Sequence, residues 1–240
     1  MLNLGFFICN KYLINYLNLR LIYRHMLISY KHNFIFIHNY KVAGTSITTA
    51  LKPFGLKNPP LNYALASKIE LIPQSYYINE AIRRIVPSFK SHTKSSEAKK
   101  QLPTDFWNEA FKFGFVRNPW SWQVSLYHYM CQNKKHFQYE LANNFKNFNE
   151  YIHWRVEKEV RLQKSFFIDS DGKVIVDYIG KIENIKDEFF KICGKIGING
   201  KLPHKNKSKH KSYRDYYSDK TSKMVADAFK DDIKMFDYEF

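Results

Sequence analysis

Two segments of the chain share one pattern, in which a short apolar run ends in polar residues and a second apolar run follows. Residues 34–54 contain the β-rich run "FIFIHNY", a polar loop, and "SITTALKPF", which predicts a brief helix stopped by Pro53. Residues 111–131 repeat this order with the strand "FKFGFV", the turn "RNP" and the helix "WSWQVSLYHYMC". Asn118 is a favourable N-cap, and Pro119 suits the first helical position because its missing N–H is not needed there.

The remaining residues predict further helices and one hairpin. The segment "SFFIDSDGKVIVDYIG" predicts a β-hairpin, because Asp171 and Gly172 supply its turn. A helix follows, capped by Asn184 and ending near Gly194. Other helices are predicted within residues 79–89, 133–165 and 218–236. Strands that alternate with helices favour an α/β fold with a central parallel sheet covered on both faces.

The first 33 residues are predicted to be an N-terminal extension, followed by a single domain over residues 34–240. The extension starts with an apolar run, but Lys11 and Arg24 interrupt the residues that follow it. Because no stretch of about 18 uncharged apolar residues occurs in the chain, we expect no membrane span. Two hypotheses are open for the extension: the natural start is Met26, or the extension is a loosely attached helix.

The composition predicts a globular protein with an anionic partner. Hydrophobic residues make up 45% and aromatic residues 17% of the chain, which excludes a disordered protein. The net charge of +16 indicates a nucleotide, a phosphate, a sulfated glycan, a nucleic acid or an anionic membrane surface as partner. Cys9, Cys131 and Cys193 lack metal-ligand spacing. We therefore expect free thiols in a reducing compartment and a cytoplasmic protein, with the inner face of a membrane left open.

The loop of the first segment has the residue types that hold a phosphate-like anion. A loop that runs from a parallel strand into a helix presents backbone N–H groups and the positive end of the helix dipole. Gly44 allows close approach of the backbone, Thr45 and Ser46 offer hydroxyl donors, and Lys41 adds a charge. The lysine precedes the glycine by three residues, so the Walker motif of nucleotide triphosphatases is absent. A capped helix start with an exposed lysine would have the same sequence.

The second segment adds an arginine at the end of its strand. Arg117 can form a forked hydrogen bond to a phosphate, and Ser125, eight residues later on the helix, can add a hydroxyl. Taken alone, a surface arginine and a helix-face serine would be commonplace.

Together the two segments resemble sulfotransferases that use 3′-phosphoadenylyl sulfate, and most closely the carbohydrate sulfotransferases of the Golgi and bacterial type (sulfotransferase family 2). The resemblance covers residues 30–240. Four stretches carry it: "FIFIHNYKVAGTSI", "FGFVRNPWSWQVSLY", "VDYIGKIENIKDEF", and "LPHKNKSKHKSYRDYYSD" with the terminal "DDIKMFDYEF". It implies a P-loop-like three-layer fold in which helices flank a central parallel sheet, with a small hairpin. It also implies an enzyme that transfers a sulfuryl group and requires no metal.

The resemblance assigns the donor-binding residues. Arg117 and Ser125 match the segment for the 3′-phosphate, and Lys41 would stabilise the leaving phosphate oxygen. The loop for the 5′-phosphosulfate comprises Lys41, Val42, Ala43, Gly44, Thr45 and Ser46. A second, basic loop is expected to close over the nucleotide and comprises Asn206, Lys207, Ser208 and Lys209.

A hydroxyl acceptor also needs a base, and His92 lies roughly where the family places a histidine. Its ordinary pKa suits proton abstraction near neutrality. His38, beside the loop, is the second choice, although packing under the loop is the expected role; His128 is expected to pack. Glu183 matches a family position and is predicted either to orient a basic residue or the acceptor, or only to favour a helix start.

Three positions depart from the family pattern. Tyr40 stands where a proline is usual before the loop lysine, and Ser121 and Trp122 replace a common acidic–arginine pair. These departures leave the loop geometry and the acceptor side open.

Other functions are also consistent with these residues. A P-loop nucleotide kinase-like enzyme would need ATP and magnesium. The charge and the interleaved aromatic residues would suit a nucleic-acid-binding module, and a degenerate relative would bind nucleotide without turnover.

We expect a carbohydrate acceptor, such as an anionic polysaccharide or a glycolipid, held by variable loops within residues 55–110 and 132–170. We expect no nucleic acid partner; peripheral membrane contact is open.

Overall fold

The structure is a computed structural model that describes residues 26–55, 89–90, 92–203 and 211–240. It contains a four-stranded sheet in the order β1-β2-β3-β4. The strands are β1 (Leu27–Ser29), β2 (Phe34–Ile37), β3 (Phe111–Val116) and β4 (Tyr178–Lys181). Strands β2, β3 and β4 are parallel, and β1 pairs antiparallel with β2 at the edge. The predicted α/β architecture is confirmed.

The helices among the described residues follow the strands in the order expected of an α/β chain, and none of them is long and apolar enough to cross a membrane. They are α1 (Gly44–Leu51), α2 (Ser95–Gln101), α3 (Thr104–Glu109), α4 (Pro119–Gln132), α5 (Tyr139–Asn144), α6 (Phe148–Lys158), α7 (Ile185–Lys195), α8 (Asp219–Ala228) and α9 (Lys230–Phe236). Short 3₁₀ helices cover Lys52–Phe54, Gln163–Phe166, Ile182–Asn184 and Tyr213–Tyr216.

The sheet is covered on both faces because successive side chains of a strand point to opposite sides. Phe36 and Phe113 stack with ring centroids 5.5 Å apart and pack with α1 and α7 on one face. Ile35 and Ile37 face the other side, where α3, α9 and Phe166 cover them. A third apolar cluster joins α4 to α5, α6 and α8. These layers fix the ends of β2 and β3 at one edge of the sheet.

Three predicted elements differ from the observed ones. The predicted hairpin is reduced to one antiparallel bridge between Ile168 and Val174, and its last three residues, Tyr178 to Gly180, enter β4 because they pair in parallel with β3. The predicted last helix is two helices that meet at Phe229, a buried residue. Strand β1 lies before residue 34, inside the segment predicted as an extension. The helix predicted over residues 79–89 lies almost entirely outside the described residues.

A buried carboxylate ties the C-terminal helix to the segment after α6. Asp232, in α9, is fully buried, and its two oxygens accept hydrogen bonds from the backbone N–H groups of Gln163 and Lys164 at 2.6 and 2.9 Å. Burial raises the pKa of Asp232 from 3.8 to about 6, although both hydrogen bonds oppose the shift. The ionised form is therefore less favourable in the folded protein than in the unfolded chain.

We predict that Asp232→Asn changes how stability depends on pH. Because the folded pKa lies above 3.8, the stability due to this group is greatest below that pH and is lost as the pH rises through about 6. For the wild type, the free energy of unfolding falls by up to about 3 kcal/mol between pH 4 and pH 7 because of this group, whereas the asparagine variant lacks this decrease. Urea unfolding of both proteins over this range measures the difference. A difference in the free energy of unfolding that stays constant over this pH range would contradict the raised pKa of Asp232.

Candidate functional site

The loop after β2 holds an unusual backbone conformation. Lys41 and Ala43 have φ angles of 60° and 57°, a region that residues other than glycine rarely occupy. Ala43 is the N-cap of α1, and no side chain caps this helix. Within the described residues, the N–H groups of Gly44 and Thr45 find no acceptor. The loop therefore presents donors and the positive end of the helix dipole, as the sequence predicts.

Gly44 is required because the ring of His38 lies directly against its backbone. A Cβ atom at this position would lie 1.7 Å from Nε2 of His38. Burial, and then the charge of His92, lower the pKa of His38 from 6.5 to about 4. His38 is thus neutral at physiological pH and packs against the loop.

The ring of His92 lies next to His38, with ring centroids 4.9 Å apart. Its Nδ1 lies 3.0 Å from the backbone oxygen of His38. Since a carbonyl oxygen only accepts, Nδ1 donates this hydrogen bond, and in the neutral ring the lone pair is on Nε2. The bond fixes the tautomer that a general base needs at Nε2.

The second strand end places Arg117 at the start of α4. The side chain of Asn118 caps this helix, as predicted, by accepting hydrogen bonds from the N–H groups of Trp120 and Ser121 at 3.1 and 3.2 Å. Nε of Arg117 donates to Oγ of Ser121 at 2.9 Å. Burial lowers the pKa of Arg117, and the negative charge of Glu183 opposes this shift.

One face of α4 links the two strand ends. Ser121, Ser125 and Tyr129 recur every four residues and so lie on the same face of the helix. Arg117 contacts the first of them, and Nζ of Lys41 lies 4.1 Å from the ring centroid of Tyr129. The half-buried Ser125 therefore lies one helical turn from the residue that each cation contacts.

Lys41 and Arg117 interact unfavourably with each other. Burial, and then the charge of Arg117, lower the pKa of Lys41 from 10.5 to about 8. Within the described parts of the chain, neither cation forms an ion pair. Two half-buried cations that repel each other are suited to binding an anion. Since β2 and β3 pair in parallel, the strand ends that precede Lys41 and Arg117 lie side by side.

Glu183 orients the arginine segment. One of its carboxylate oxygens accepts from the backbone N–H of Asn118 at 2.7 Å, and the other accepts from the hydroxyl of Tyr238 at 3.1 Å. Of the three roles predicted for Glu183, its hydrogen bond to the peptide that follows Arg117 favours the orientation of a basic residue.

Gln163 was missed by sequence reasoning, and it contacts both strand ends. Its fully buried side chain accepts from the backbone N–H of Arg117 at 3.0 Å and donates to the backbone oxygen of Arg117 at 2.7 Å. It also accepts from Nδ2 of Asn39 at 3.2 Å. A lone glutamine in the stretch "RLQKSFF" carries no motif, so no local signal could have identified it.

Two departures from the family pattern contact each other. The indole N–H of Trp122 donates to the backbone oxygen of Tyr40 at 2.9 Å, and the two rings lie 4.8 Å apart. Trp122 is fully buried. This contact fixes the backbone immediately before Lys41, where a proline would otherwise restrict it.

Other predicted residues are placed as follows. Val42 is fully buried, so only its backbone can face a ligand, whereas Ser46 is buried and Thr45 exposed. His128 lies 2.9 Å from the hydroxyl of Tyr216. The predicted closing loop, Asn206 to Lys209, lies outside the described residues. In the part of the chain that the structure describes, no group of His, Cys, Asp or Glu side chains could hold a metal ion.

The chain matches one family of known proteins over most of its length. A model of the family described as "Sulfotransferase family" matches residues 24–239. No curated protein matches the chain in sequence. One solved structure similar to the chain is mouse sulfotransferase SULT7A1 complexed with PAP, with 14% identity and a TM-score of 0.46; the alignment covers 91% of this chain and 88% of that chain.

If the two strand ends hold an adenosine bisphosphate, as the sequence predicts, Gln163→Leu should weaken binding of adenosine 3′,5′-bisphosphate by about tenfold or more. The variant leaves buried backbone groups of Arg117 without partners, which costs about 1–3 kcal/mol for each group and frees the strand end. Gln123→Leu is the matched control, because Gln123 is also fully buried but bonds Tyr151 and Arg155 instead.

Calorimetric titration of both variants measures their affinity for the nucleotide, and urea unfolding measures their free energy of unfolding. Together the two measurements separate a role in positioning Arg117 from a role in the stability of the fold. Both variants are expected to lose stability, but only Gln163→Leu is expected to lose affinity. Equal losses of affinity would show that Gln163 has no special role.

Proposed function

The chain belongs to the sulfotransferase family, and we propose that it transfers a sulfuryl group from 3′-phosphoadenylyl sulfate to a hydroxyl of a carbohydrate acceptor. The observation that supports this proposal most directly is that two half-buried cations, Lys41 and Arg117, follow the neighbouring parallel strands β2 and β3, and neither forms an ion pair within the described residues. A single ligand with phosphates at both ends would neutralise both cations at once.

The residues around the two strand ends fit such a donor. The N–H groups at the start of α1 and the ammonium of Lys41 would hold the 5′-phosphate. Arg117 would hold the 3′-phosphate with the hydroxyl of Ser125, which lies on the same helix face. Its guanidinium is already oriented by Ser121, so less freedom is lost on binding.

When bound, the donor supplies an activated sulfuryl group and leaves as adenosine 3′,5′-bisphosphate. The acceptor oxygen forms a bond to sulfur while the bond between sulfur and the bridging phosphate oxygen breaks, and charge builds up on that oxygen. Lys41 would stabilise this charge, because its pKa of about 8 leaves the ammonium largely protonated near neutrality. Positioning and charge stabilisation supply most of the catalysis in transfers of this kind.

His92 would remove the proton of the acceptor hydroxyl. The hydrogen bond from its Nδ1 to the backbone oxygen of His38 leaves Nε2 as the proton acceptor. The neighbouring ring of His38 is neutral, so it does not oppose the positive charge that His92 gains in this step. The carbonyl at Nδ1 stabilises the same charge.

We predict that affinity for adenosine 3′,5′-bisphosphate falls as the pH rises through about 8. In the free protein Lys41 loses its proton in this range and with it the attraction for a phosphate, so affinity falls by up to tenfold per pH unit above the pKa. Lys41→Met should bind more weakly and should lack this dependence. Calorimetric titration between pH 7 and pH 9.5 tests both statements. The same pH dependence in Lys41→Met would assign it to another group.

We predict that His92→Asn lowers kcat by about 10²–10⁴-fold and changes nucleotide affinity less than threefold. Asparagine can still donate to the backbone oxygen of His38, but it cannot act as a base. His128→Gln, a histidine change on α4, is the control and should keep activity. The assay follows sulfate transfer from labelled donor to a glycan panel. Full activity of His92→Asn would place the base elsewhere.

The same assay separates an enzyme from a binding protein. Nucleotide binding by the wild type without transfer to any member of the panel would favour the non-catalytic alternative. Absence of nucleotide binding would overturn the proposed function altogether.

A further inference from the structure

An exposed row of rings begins at Lys41 and leads away from the strand ends. Nζ of Lys41 lies over the ring of Tyr129, whose centroid is 5.5 Å from that of His136. The ring of His136 stacks on Phe137 at 4.8 Å and 27°. Phe137 is 79% exposed and Tyr129 39% exposed. We call Tyr129, His136 and Phe137 the aromatic platform.

The aromatic platform is held rigidly by its own segment. Asn133 donates from Nδ2 to the hydroxyl of Tyr129 at 2.9 Å, and its backbone oxygen accepts from the N–H of His136 at 2.8 Å. Nδ1 of His136 accepts from the N–H of Gln138 at 3.1 Å. The side chain of Gln138 in turn donates to Glu159 at 2.8 Å. A surface fixed in this way loses little freedom when a ligand binds.

Two further cations flank the aromatic platform. Lys134 and Lys135 are exposed and occupy the turn between Tyr129 and His136, and within the described residues neither forms an ion pair. The nearby acidic residues are the exposed Glu140 on the following helix and Glu159, and Glu159 is paired with Arg155 and Arg161. The local charge is therefore positive, which matches an anionic ligand.

We propose that the aromatic platform docks the acceptor, an anionic sugar chain, and leads its reacting hydroxyl to Lys41 and His92; this inference rests on the proposed function. The C–H face of a sugar ring packs on the open face of Phe137, and carboxylates or sulfates of the chain bind Lys134 and Lys135. The platform begins at the residue that would stabilise the leaving group, so a short oligosaccharide lying along it reaches the site of transfer.

Continuity with Lys41 favours a sugar chain over a lipid surface. Binding to a membrane surface would involve Phe137 and the two lysines. It would not require Tyr129, whose ring stabilises the charge of Lys41. Exposed apolar residues that adjoin a site for transfer commonly mark where its substrate binds.

The test uses Phe137→Ala and the double variant Lys134→Glu with Lys135→Glu. Their matched controls are Phe190→Ala, since Phe190 is 80% exposed on α7, and Lys186→Glu with Lys195→Glu on the same helix. Heparosan, a polymer containing uronic acid, is the acceptor probe. Neutral dextran and vesicles with phosphatidylserine are the comparison ligands.

For both platform variants we expect the KM for heparosan to rise at least tenfold, while kcat and the affinity for adenosine 3′,5′-bisphosphate stay within threefold of the wild type. The control variants should match the wild type in all three quantities. An unchanged KM, an equal rise in the controls, or platform-dependent binding to vesicles without binding to heparosan would overturn the proposal.

Retention on immobilised heparosan judges the aromatic platform independently of activity. If the wild type fails to bind the nucleotide, the proposed function fails, and retention still decides whether a sugar chain docks here. Retention of the wild type that is lost in Phe137→Ala supports docking; no retention, or equal retention of both proteins, overturns it.

Discussion

The repulsion between Lys41 and Arg117 is the constraint on which the rest of the site depends. Each side chain has lost part of its hydration, and the charge of one lowers the pKa of the other. Like charges repel more strongly where water is partly excluded, so holding them together costs stability. An anion that binds both cations offsets that cost, and for this reason the arrangement favours a ligand with two negative groups.

The protein keeps the two cations in place through contacts that come from distant parts of the chain. Gln163 binds the backbone of Arg117 and the side chain of Asn39, and Asp232 fixes the backbone of Gln163 from the C-terminal helix. On the other side, Trp122 holds the backbone before Lys41. The same helix thus supports both cations: its first turn orients Arg117, and its last turn places Tyr129 beneath the lysine charge.

The groups proposed for chemistry are also held in place by contacts with one another. Gly44 lets the ring of His38 lie against the loop, and the backbone of His38 sets the tautomer of His92. The positions of the loop, the neutral histidine and the base are therefore coupled. Beyond Lys41, the aromatic platform that we propose for the acceptor would give it a defined approach, so both substrates would bind to surfaces formed before either arrives.

The sequence by itself determined the two strand–loop–helix segments, the cap by Asn118 and the identity of the loop that carries Lys41, because apolar runs, caps and glycine-containing turns act between near neighbours. It placed Arg117 at the end of a strand and Ser125 eight residues later, on the helix that follows. Only the tertiary structure decided the role of Gln163, the contact of Tyr40 with Trp122, and the entry of β4 into the sheet instead of a hairpin. These contacts join residues far apart in the chain, as in the 124 positions between Asn39 and Gln163, and no local pattern encodes which distant partner will satisfy a buried group.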